Sequence, residues 1–168
     1  MSIIETERLI LRPMTEADGE DVFLWTGDPV VNRYMPYPVH KNVEETRVWL
    51  RSLQGKEDEF GFCLKETGRL IGAGSIKYRE EFDAFEIGYN LNRDAWGKGY
   101  ATEAGKALVR WAYEQKNARR FMARHATANT ASGHVLKKCG FLFSHYGQYS
   151  RYDGSETFDA TYYTLHLD

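Results

Sequence analysis

A short turn with two glycines precedes the longest helical pattern in the chain. The residues Trp96-Gly97-Lys98-Gly99 lead directly into a helix that the pattern predicts to begin at Tyr100. The first N–H groups of a helix have no partner within it, and the helix dipole places positive potential there, so this turn suits a phosphate group. Glycine permits a positive φ and lets the backbone approach an anion closely. The same spacing alone also fits an ordinary helix start without a ligand.

The common phosphate-binding motifs fit this turn poorly. A P-loop needs GxxxxGK followed by Ser or Thr, and a dinucleotide-binding turn needs Gly or Ala where Thr102 stands. A dinucleotide turn also belongs to a parallel βαβ unit, whereas the pattern predicts three antiparallel strands before Trp96. A nucleotide-binding module that uses the same turn is therefore an interpretation without a motif to support it.

The rest of the chain places this turn between a run of strands and the longest helix. Apolar residues at helical or alternating spacing predict the order βαα-βββ-α-β-α-ββ. The predicted strands are residues 6–12, 59–65, 69–78, 83–91, 120–125, 141–149 and 157–166, and the predicted helices are residues 15–25, 42–53, 100–116 and 129–139. We therefore predict an α+β fold with a mixed, mostly antiparallel sheet of about seven strands, flanked by about four helices.

Composition argues against several classes of protein. The 168 residues carry a formal net charge of −2, with 42% hydrophobic and 27% charged residues, which is typical of one globular domain and gives no basic field for nucleic acid. No stretch approaches the roughly 20 apolar residues that span a bilayer. Cys63 and Cys139 form neither a CxxC pair nor a disulfide framework. We expect a single cytoplasmic domain over residues 1–168 that binds no metal, nucleic acid or membrane.

Four segments, in a fixed order along the chain, carry a family resemblance. They are ETERLILR at residues 5–12, EIGYNL at 86–91, WGKGYATEA at 96–104, and NTAS at 129–132 followed by KCGF at 138–141. In this order they resemble an opening strand, a fourth strand, a pyrophosphate loop with its helix, and a late cofactor motif. The chain thus resembles the GNAT acetyltransferase superfamily, specifically its ribosomal-protein N-terminal acetyltransferase (RimJ/RimL-like) branch.

The resemblance implies a cofactor and a place for it. In this family the fourth and fifth strands splay apart, and acetyl-CoA, the acetyl donor, lies in the opening. Backbone N–H groups of the turn would hold the pyrophosphate, and the exposed backbone of the fourth strand would pair with the pantetheine arm like an added strand. Asn129 would hydrogen-bond the cofactor, cap the late helix, or do both. The implied cofactor-binding residues are Tyr89, Leu91, Trp96, Gly97, Lys98, Gly99, Tyr100, Ala101 and Asn129.

Two positions depart from the superfamily pattern. Asp94 stands three residues before the first loop glycine, where Gln or Arg is common, and an acidic group beside a pyrophosphate is unhelpful unless it points away. Leu136 stands where the superfamily often has the Tyr that protonates the leaving thiolate. The RimJ/RimL-like branch is thought to use a serine instead, and Ser132 is the matching residue. Ser132 is therefore the implied catalytic donor to the thiolate.

Acetyl transfer to an amine also requires a neutral nucleophile and a polarised carbonyl. An α-amine titrates near pH 8, so it needs only modest help to lose its proton. Glu86 on the central strand is the predicted base, acting through a water, and a salt-bridge role for it is about equally supported. The resemblance implies that the backbone N–H of Tyr89 polarises the thioester carbonyl. His125 is better explained as a hydrogen-bonded structural histidine than as a base.

The sequence leaves the acceptor and the activity open. The predicted function is transfer of an acetyl group from acetyl-CoA to a primary amine, either a protein N-terminus or a small molecule, in a ternary complex. The alternative is a non-catalytic acyl-CoA-binding regulatory domain, which Leu136 favours and the pair Glu86 and Ser132 disfavours. A homodimer is possible by analogy with the family. Groove-lining aromatic residues are expected from the first two helices and the last strands, and they are Trp25, Tyr34, Tyr37, Trp49, Tyr146, Tyr149 and Tyr152, with Met35 beside them.

Overall fold

The computed structural model describes residues 2–168, which form one eight-stranded sheet and four α-helices. The strands are β1 (Ile4–Glu5), β2 (Leu9–Arg12), β3 (Glu59–Leu64), β4 (Leu70–Arg79), β5 (Ala84–Leu91), β6 (Arg120–Ala126), β7 (Leu142–Ser150) and β8 (Thr157–His166). The helices are α1 (Gly19–Thr26), α2 (Val43–Ser52), α3 (Tyr100–Gln115) and α4 (Thr130–Lys138). The predicted α+β class and order of elements are confirmed.

The predicted first strand is two strands in the structure. β1 and β2 pair antiparallel with Ile4 opposite Leu11, so residues 6–8 form a turn. Thr6 holds this turn, because its N–H donates to the Leu9 carbonyl at 2.9 Å and its Oγ1 accepts from the Leu9 N–H at 3.0 Å. A local bond of this kind competes with a continuous strand. It adds one short strand to the sheet and leaves Glu7 and Arg8 outside it.

The strands follow the order β1-β2-β3-β4-β5-β6-β8-β7 across the sheet. The pair β5–β6 is parallel and the other neighbours are antiparallel. A parallel pair needs a crossover connection, which α3 supplies between the end of β5 and the start of β6. The carboxyl ends of β5 and β6 therefore lie on the same side of the sheet, and α3 and α4 both begin there.

Helices cover both faces of the sheet. Consecutive strand residues point to opposite faces, and in β4 Ala73 belongs to the core cluster that contains Val22 of α1 and Leu50 of α2. A Cβ on the next residue, Gly74, would point at Leu108 of α3, 3.3 Å away. α1 and α2 thus pack on one face and α3 packs on the other, where its apolar side chains are buried, among them Ala104, Leu108, Trp111 and Ala112.

β7 lies at the edge of the sheet and pairs with β8. Three of its large apolar side chains are more than half exposed, at 72% for Leu142, 53% for Phe143 and 71% for Tyr146. An exposed apolar edge strand is a surface on which a second chain can pair. The homodimer expected by analogy stays a prediction, and this edge is its natural place.

Across residues 2–168 the helices are all too short or too polar to cross a bilayer. The same part of the chain holds no group of three or more His, Cys, Asp or Glu side chains arranged to bind a metal ion.

Close packing at Gly74 predicts a measurable stability cost for a single methyl group. In Gly74→Ala the new Cβ would lie 2.5 Å from Cζ of the fully buried Phe62 and 2.8 Å from the Gly88 carbonyl oxygen. Overpacking of this kind costs about 1–3 kcal/mol, so we expect a lower free energy of unfolding in urea.

Gly88→Ala on the neighbouring strand is the matched control. Its Cβ would meet Ser75 Oγ at 3.6 Å, an ordinary contact, and the loss of a glycine typically stabilises by about 0.4–1 kcal/mol at a compatible site. We expect unchanged or slightly higher stability, and an equal loss in both variants would contradict the packing described here.

Candidate active site

The centre of the site is a gap between β5 and β6. Their ladder contains the pairs Phe85–Phe121 and Glu86–Met122, after which the strands separate. β5 stays paired to β4 as far as Leu91, and β6 stays paired to β8 along its whole length. Within the described chain, the β6-facing edge of β5 beyond Glu86 therefore has no strand partner. An unpaired edge of this kind can accept an extended ligand as an added strand.

The glycine turn lies at the mouth of this gap. Gly97 and Gly99 have φ angles of 74° and 82°, a region that L side chains rarely adopt. Both glycines and Lys98 are exposed, and a Cβ at Gly97 would meet no atom within 4 Å. The glycines are thus needed for the backbone conformation, which leaves the turn accessible. Tyr100 and Ala101 begin α3 directly behind it.

Trp96 attaches the turn to the end of β5. Its indole Nε1 donates to the Leu91 carbonyl at 3.0 Å, while 45% of the residue remains exposed. The last carbonyl of β5 is thereby satisfied by the turn, which fixes the distance between the open strand edge and the glycines.

Arg8 connects the turn to the start of the chain, a contact that the sequence did not predict. Its guanidinium donates from Nη1 to the Lys98 carbonyl at 2.9 Å and from Nε to Glu103 at 2.7 Å. It also stacks over the Tyr100 ring, 4.4 Å from the centroid. Arg8 therefore fixes the carbonyl between the two glycines and brings a positive charge beside a turn suited to phosphate.

Glu103, in the first turn of α3, is held ionised by the same segment. Burial acts to raise the pKa of its carboxyl group, but bonds from Thr6 Oγ1 at 2.6 Å, the Arg8 N–H at 2.8 Å and the Arg8 side chain outweigh burial and lower the pKa. A carboxylate near a helix N-terminus is also favoured by the dipole. No spacing in the sequence indicates this contact, because Glu103 lies 95 residues from Arg8 and their proximity depends on the turn between β1 and β2.

The acidic residue that departs from the superfamily pattern is turned away from the glycines. Asp94 accepts from Arg69 Nη2 at 2.7 Å. The neighbouring Arg93 binds Asp28 through two nitrogens, at 2.6 Å and 3.0 Å, and lowers the pKa of that carboxyl group. Asp94 is thus paired with a cation, and its charge does not oppose an anion at the turn.

A pair of hydroxyl groups bridges β5 and α4. The Tyr89 hydroxyl lies 2.9 Å from Ser132 Oγ and 3.3 Å from the Ser132 carbonyl oxygen. Leu136, one turn further along α4, is 1% exposed and belongs to the core. The position that often carries a Tyr on the late helix is therefore a packing position here, and a Tyr on the strand brings a phenol to Ser132 instead.

The remaining polar residues near the gap have separate roles. His125 is buried, its Nδ1 lies 2.6 Å from the Ala126 carbonyl and its Nε2 lies 3.3 Å from the Tyr163 hydroxyl, so it is a hydrogen-bonded structural residue. Burial lowers the pKa of its imidazole. Asn129 precedes α4 and its side chain makes no capping hydrogen bond to that helix in the described chain. Its contact with the cofactor stays a prediction.

Glu86 lies on the face of β5 opposite to Tyr89. Its Oε1 accepts from Arg79 at 2.5 Å, and its Oε2 lies 3.6 Å from Arg124 Nε. The side chain is 19% exposed, so water can reach it. Glu86 thus forms the salt bridges considered from the sequence. Its role as a base acting through water stays a prediction.

The same face carries polar groups suited to an acceptor. Asn90 donates to Asn32 Oδ1 at 3.2 Å and to the Tyr37 hydroxyl at 3.3 Å. Although part of Tyr37 is exposed, its hydroxyl is enclosed, and this burial raises the pKa of Tyr37 to about 12. Among the expected groove residues, Tyr37 and Tyr152 are exposed at 38% and 78%, whereas Trp25 is 2% exposed and belongs to the core.

These features fit an extended ligand with a pyrophosphate. The open edge of β5 supplies unpaired backbone groups, the turn supplies two left-handed glycines, and Arg8 supplies a fixed positive charge. The acetyltransferase (GNAT) domain family matches residues 8–142, which includes all of them. The chain belongs to the GNAT acetyltransferase family. It is an acetyl-CoA-dependent N-acetyltransferase.

Similar proteins agree in sequence and in fold. An uncharacterized N-acetyltransferase p20 from Bacillus licheniformis is 33% identical over 147 residues, covering 84% of this chain and 83% of that protein. The [ribosomal protein uS5]-alanine N-acetyltransferase of Escherichia coli is 26% identical and covers 82% of this chain and 77% of its own. A crystal structure of a GNAT acetyltransferase from Bacillus anthracis is 30% identical, covers 98% of both chains and has a TM-score of 0.89. The RimJ/RimL-like resemblance is thus confirmed.

Removal of the Arg8 guanidinium should weaken cofactor binding without unfolding the domain. In Arg8→Ala the Lys98 carbonyl loses its guanidinium donor and a charge near the pyrophosphate disappears. Glu103 loses the bond from Arg8 Nε but keeps those from Thr6 Oγ1 and the backbone N–H of residue 8. We expect the Kd for CoA to rise about threefold to thirtyfold, because hydrogen bonds to charged groups contribute about 1.5–3 kcal/mol at most and this site is partly exposed. Isothermal titration measures the change.

Arg8→Lys and Arg51→Ala are the controls for this prediction. Lysine keeps the charge but cannot bond both acceptors in a fixed geometry, so it should recover only part of the affinity. Arg51 pairs with Glu16 and Glu44 at the surface near α2, and its loss should leave the Kd unchanged. Full recovery by lysine would mean that charge alone matters.

Proposed function

We propose that this acetyltransferase moves the acetyl group of acetyl-CoA directly to the N-terminal α-amine of a polypeptide, in a ternary complex. The observation that carries the proposal is the open edge of β5, which ends at the glycine turn and has the Tyr89–Ser132 hydroxyl pair on one side. The named activity of the uS5-alanine N-acetyltransferase relative supports a polypeptide amine as the acceptor.

The two faces of β5 separate the two halves of the reaction. Tyr89 points toward α4, while Glu86 and Asn90 point to the opposite face, because successive strand residues alternate. Bound acetyl-CoA supplies an acetyl group activated as a thioester. With the hydroxyl pair on one face and the carboxylate on the other, the thiol and the amine can be handled by different groups. This arrangement favours direct attack within a ternary complex.

The donor is held mainly by backbone. N–H groups of residues 97–101 bind the pyrophosphate, since the Trp96 N–H already donates to the Arg93 carbonyl at 3.2 Å. The edge from Tyr89 to Leu91 pairs with the pantetheine arm, and Asn129 contributes an amide from the opposite side of the gap. Lys98 is exposed at the rim of the turn and adds a charge there. Backbone contacts to an extended arm recognise its shape rather than a particular side chain.

Three groups act on the reacting atoms. The N–H of Tyr89 polarises the thioester carbonyl, Ser132 Oγ donates a hydrogen bond to the departing thiolate, and Glu86 accepts the amine proton through a water. The start of α4 adds a favourable dipole for the thiolate. Leu136 was the argument for a non-catalytic regulatory domain. That argument is weaker because Tyr89 and Ser132 supply hydroxyl groups beside Leu136.

A thermal unfolding experiment tests the donor independently of the acceptor. Acetyl-CoA at 100 times its Kd adds about 2.7 kcal/mol of stability, which should raise the Tm by about 5–10 °C for a domain of this size. ATP and NAD serve as controls and should give no shift. No shift with millimolar acetyl-CoA would contradict the whole assignment.

A panel of amines then tests the acceptor. Thiol release should be fastest with a peptide that has a free N-terminus, and slow with its Nα-acetylated copy and with small amines. If the enzyme prefers a small amine, the proposed polypeptide acceptor is wrong, but the proposed acetyl transfer still stands. Thermal stabilisation by acetyl-CoA without turnover of any amine would favour the regulatory interpretation.

Glu86→Gln should change the pH dependence of the reaction. A base is needed while the α-amine is protonated, below its pKa of about 7.7–8.0. We expect kcat/KM to fall about tenfold to a hundredfold near pH 6.5, and the loss to shrink above about pH 8.5, where the amine is already neutral. Steady-state profiles for both proteins provide the measurement.

Glu81→Gln is the matched control, because Glu81 also pairs with Arg79, at 2.7 Å, but lies at the surface. It should leave the pH profile unchanged. A loss in Glu86→Gln that is equal at every pH would assign Glu86 a purely structural role.

A further inference from the structure

The Tyr89 hydroxyl lies beside Ser132 Oγ but does not itself act on the reacting atoms. The phenol oxygen lies 2.9 Å from Ser132 Oγ across the gap between β5 and α4. Its ring packs against the main core, so the position of the hydroxyl is determined by the sheet. α4 is also held closely, because a Cβ on Gly133 would lie 3.0 Å from His125 Nε2.

Distance and acidity together favour one direction for this hydrogen bond. The phenol has one proton, and Ser132 Oγ at 2.9 Å is nearer to the phenol oxygen than the Ser132 carbonyl oxygen at 3.3 Å. A phenol is a stronger acid than an aliphatic alcohol, so it is the better donor and the poorer acceptor. When Tyr89 donates to Ser132 Oγ, the serine proton is free to point into the gap. In the opposite direction the serine proton would be used by Tyr89, and Ser132 could not donate to another group.

We propose that Tyr89 is a positioning residue, whose hydroxyl donates to Ser132 Oγ and thereby directs the serine proton toward the sulfur of the bound donor. The inference rests on the proposed role of Ser132. No proton leaves Tyr89: its O–H bond stays intact, and the serine O–H donates a hydrogen bond to the thiolate.

The environment of Tyr89 agrees with a positioning role and argues against proton transfer. Burial raises the pKa of the phenol above its ordinary value, whereas a thiol has a pKa of about 8.5. A thiolate would therefore not remove the phenol proton. The other titratable groups around Tyr89 are Cys139 and Tyr163, and burial raises the pKa of Cys139 to about 11 and also raises that of Tyr163. His125, which contacts Tyr163, has a lowered pKa.

The proposal predicts how tightly the protein binds the thiolate form of CoA, without any acceptor. Affinities for CoA and desulfo-CoA are measured by titration calorimetry between pH 7 and 9.5. The ratio of the two Kd values isolates the thiol, because both ligands share the same phosphates. In the wild type, the affinity for CoA relative to that for desulfo-CoA should increase as the pH rises, since a hydrogen bond to the thiolate favours that charged form. This increase is the gain that the variants test.

Four variants separate positioning from structure. Tyr89→Phe should reduce the gain about threefold to tenfold, with the Kd for desulfo-CoA unchanged, and Ser132→Ala should reduce it at least as much. Tyr89→Phe in the Ser132→Ala background should have no further effect, because Tyr89 acts through Ser132. Tyr113→Phe is the control, since it removes a phenol that bonds the Asp168 carbonyl at 2.8 Å, outside the gap.

Each other outcome identifies what is wrong. An unchanged gain in Tyr89→Phe, or additive losses in the double variant, would overturn the positioning role and leave the Ser132 role intact. An unchanged gain in Ser132→Ala would overturn both roles, with donor binding intact. No binding of CoA to the wild type would reject the proposed function itself.

Discussion

The site depends on one constraint in the sheet, namely that β5 and β6 are parallel neighbours joined by only two residue pairs. Each strand is fully paired on its outer side, β5 to β4 and β6 to β8, so the separation does not cost either strand its place in the sheet. Backbone groups that lack a partner must find one in water or in a ligand. The gap thus creates a binding edge out of the centre of a sheet, where such edges are normally absent.

The glycine turn is useful only if its position relative to this edge is fixed. The Trp96 indole fixes it on one side through the Leu91 carbonyl, and Arg8 fixes it on the other through the Lys98 carbonyl. Exposed ion pairs taken singly contribute little to stability, but Arg8 shares Glu103 with Thr6 and stacks on Tyr100. A network with several partners loses less side-chain freedom per bond. The turn between β1 and β2 therefore connects the binding site to the sheet.

Local patterns in the sequence were sufficient for the order of elements, the three antiparallel strands β3, β4 and β5, and the glycine turn before α3. Each of these is determined by residues close together in the chain. The partners of charged and polar side chains were not predictable in the same way. Two ion pairs join residues from different strands or their ends, namely Arg69 with Asp94 and Arg124 with Glu86. The register of those strands is a property of the whole sheet. The split of the first predicted strand has a local cause in Thr6, but alternation of apolar residues does not report it.

A contact between elements distant in sequence also explains how a hydroxyl group reaches α4 although Leu136 is apolar. A Tyr on α4 would move with the helix, whereas Tyr89 belongs to β5 and reaches α4 across the gap. The distance between the two oxygens therefore depends on how far the strands have separated. A ligand that enters the gap must fit that separation, because Ile87 and Leu136 pack the adjoining strand and helix into the core. Binding geometry and the orientation of Ser132 are thus controlled by one structural variable, the opening between β5 and β6.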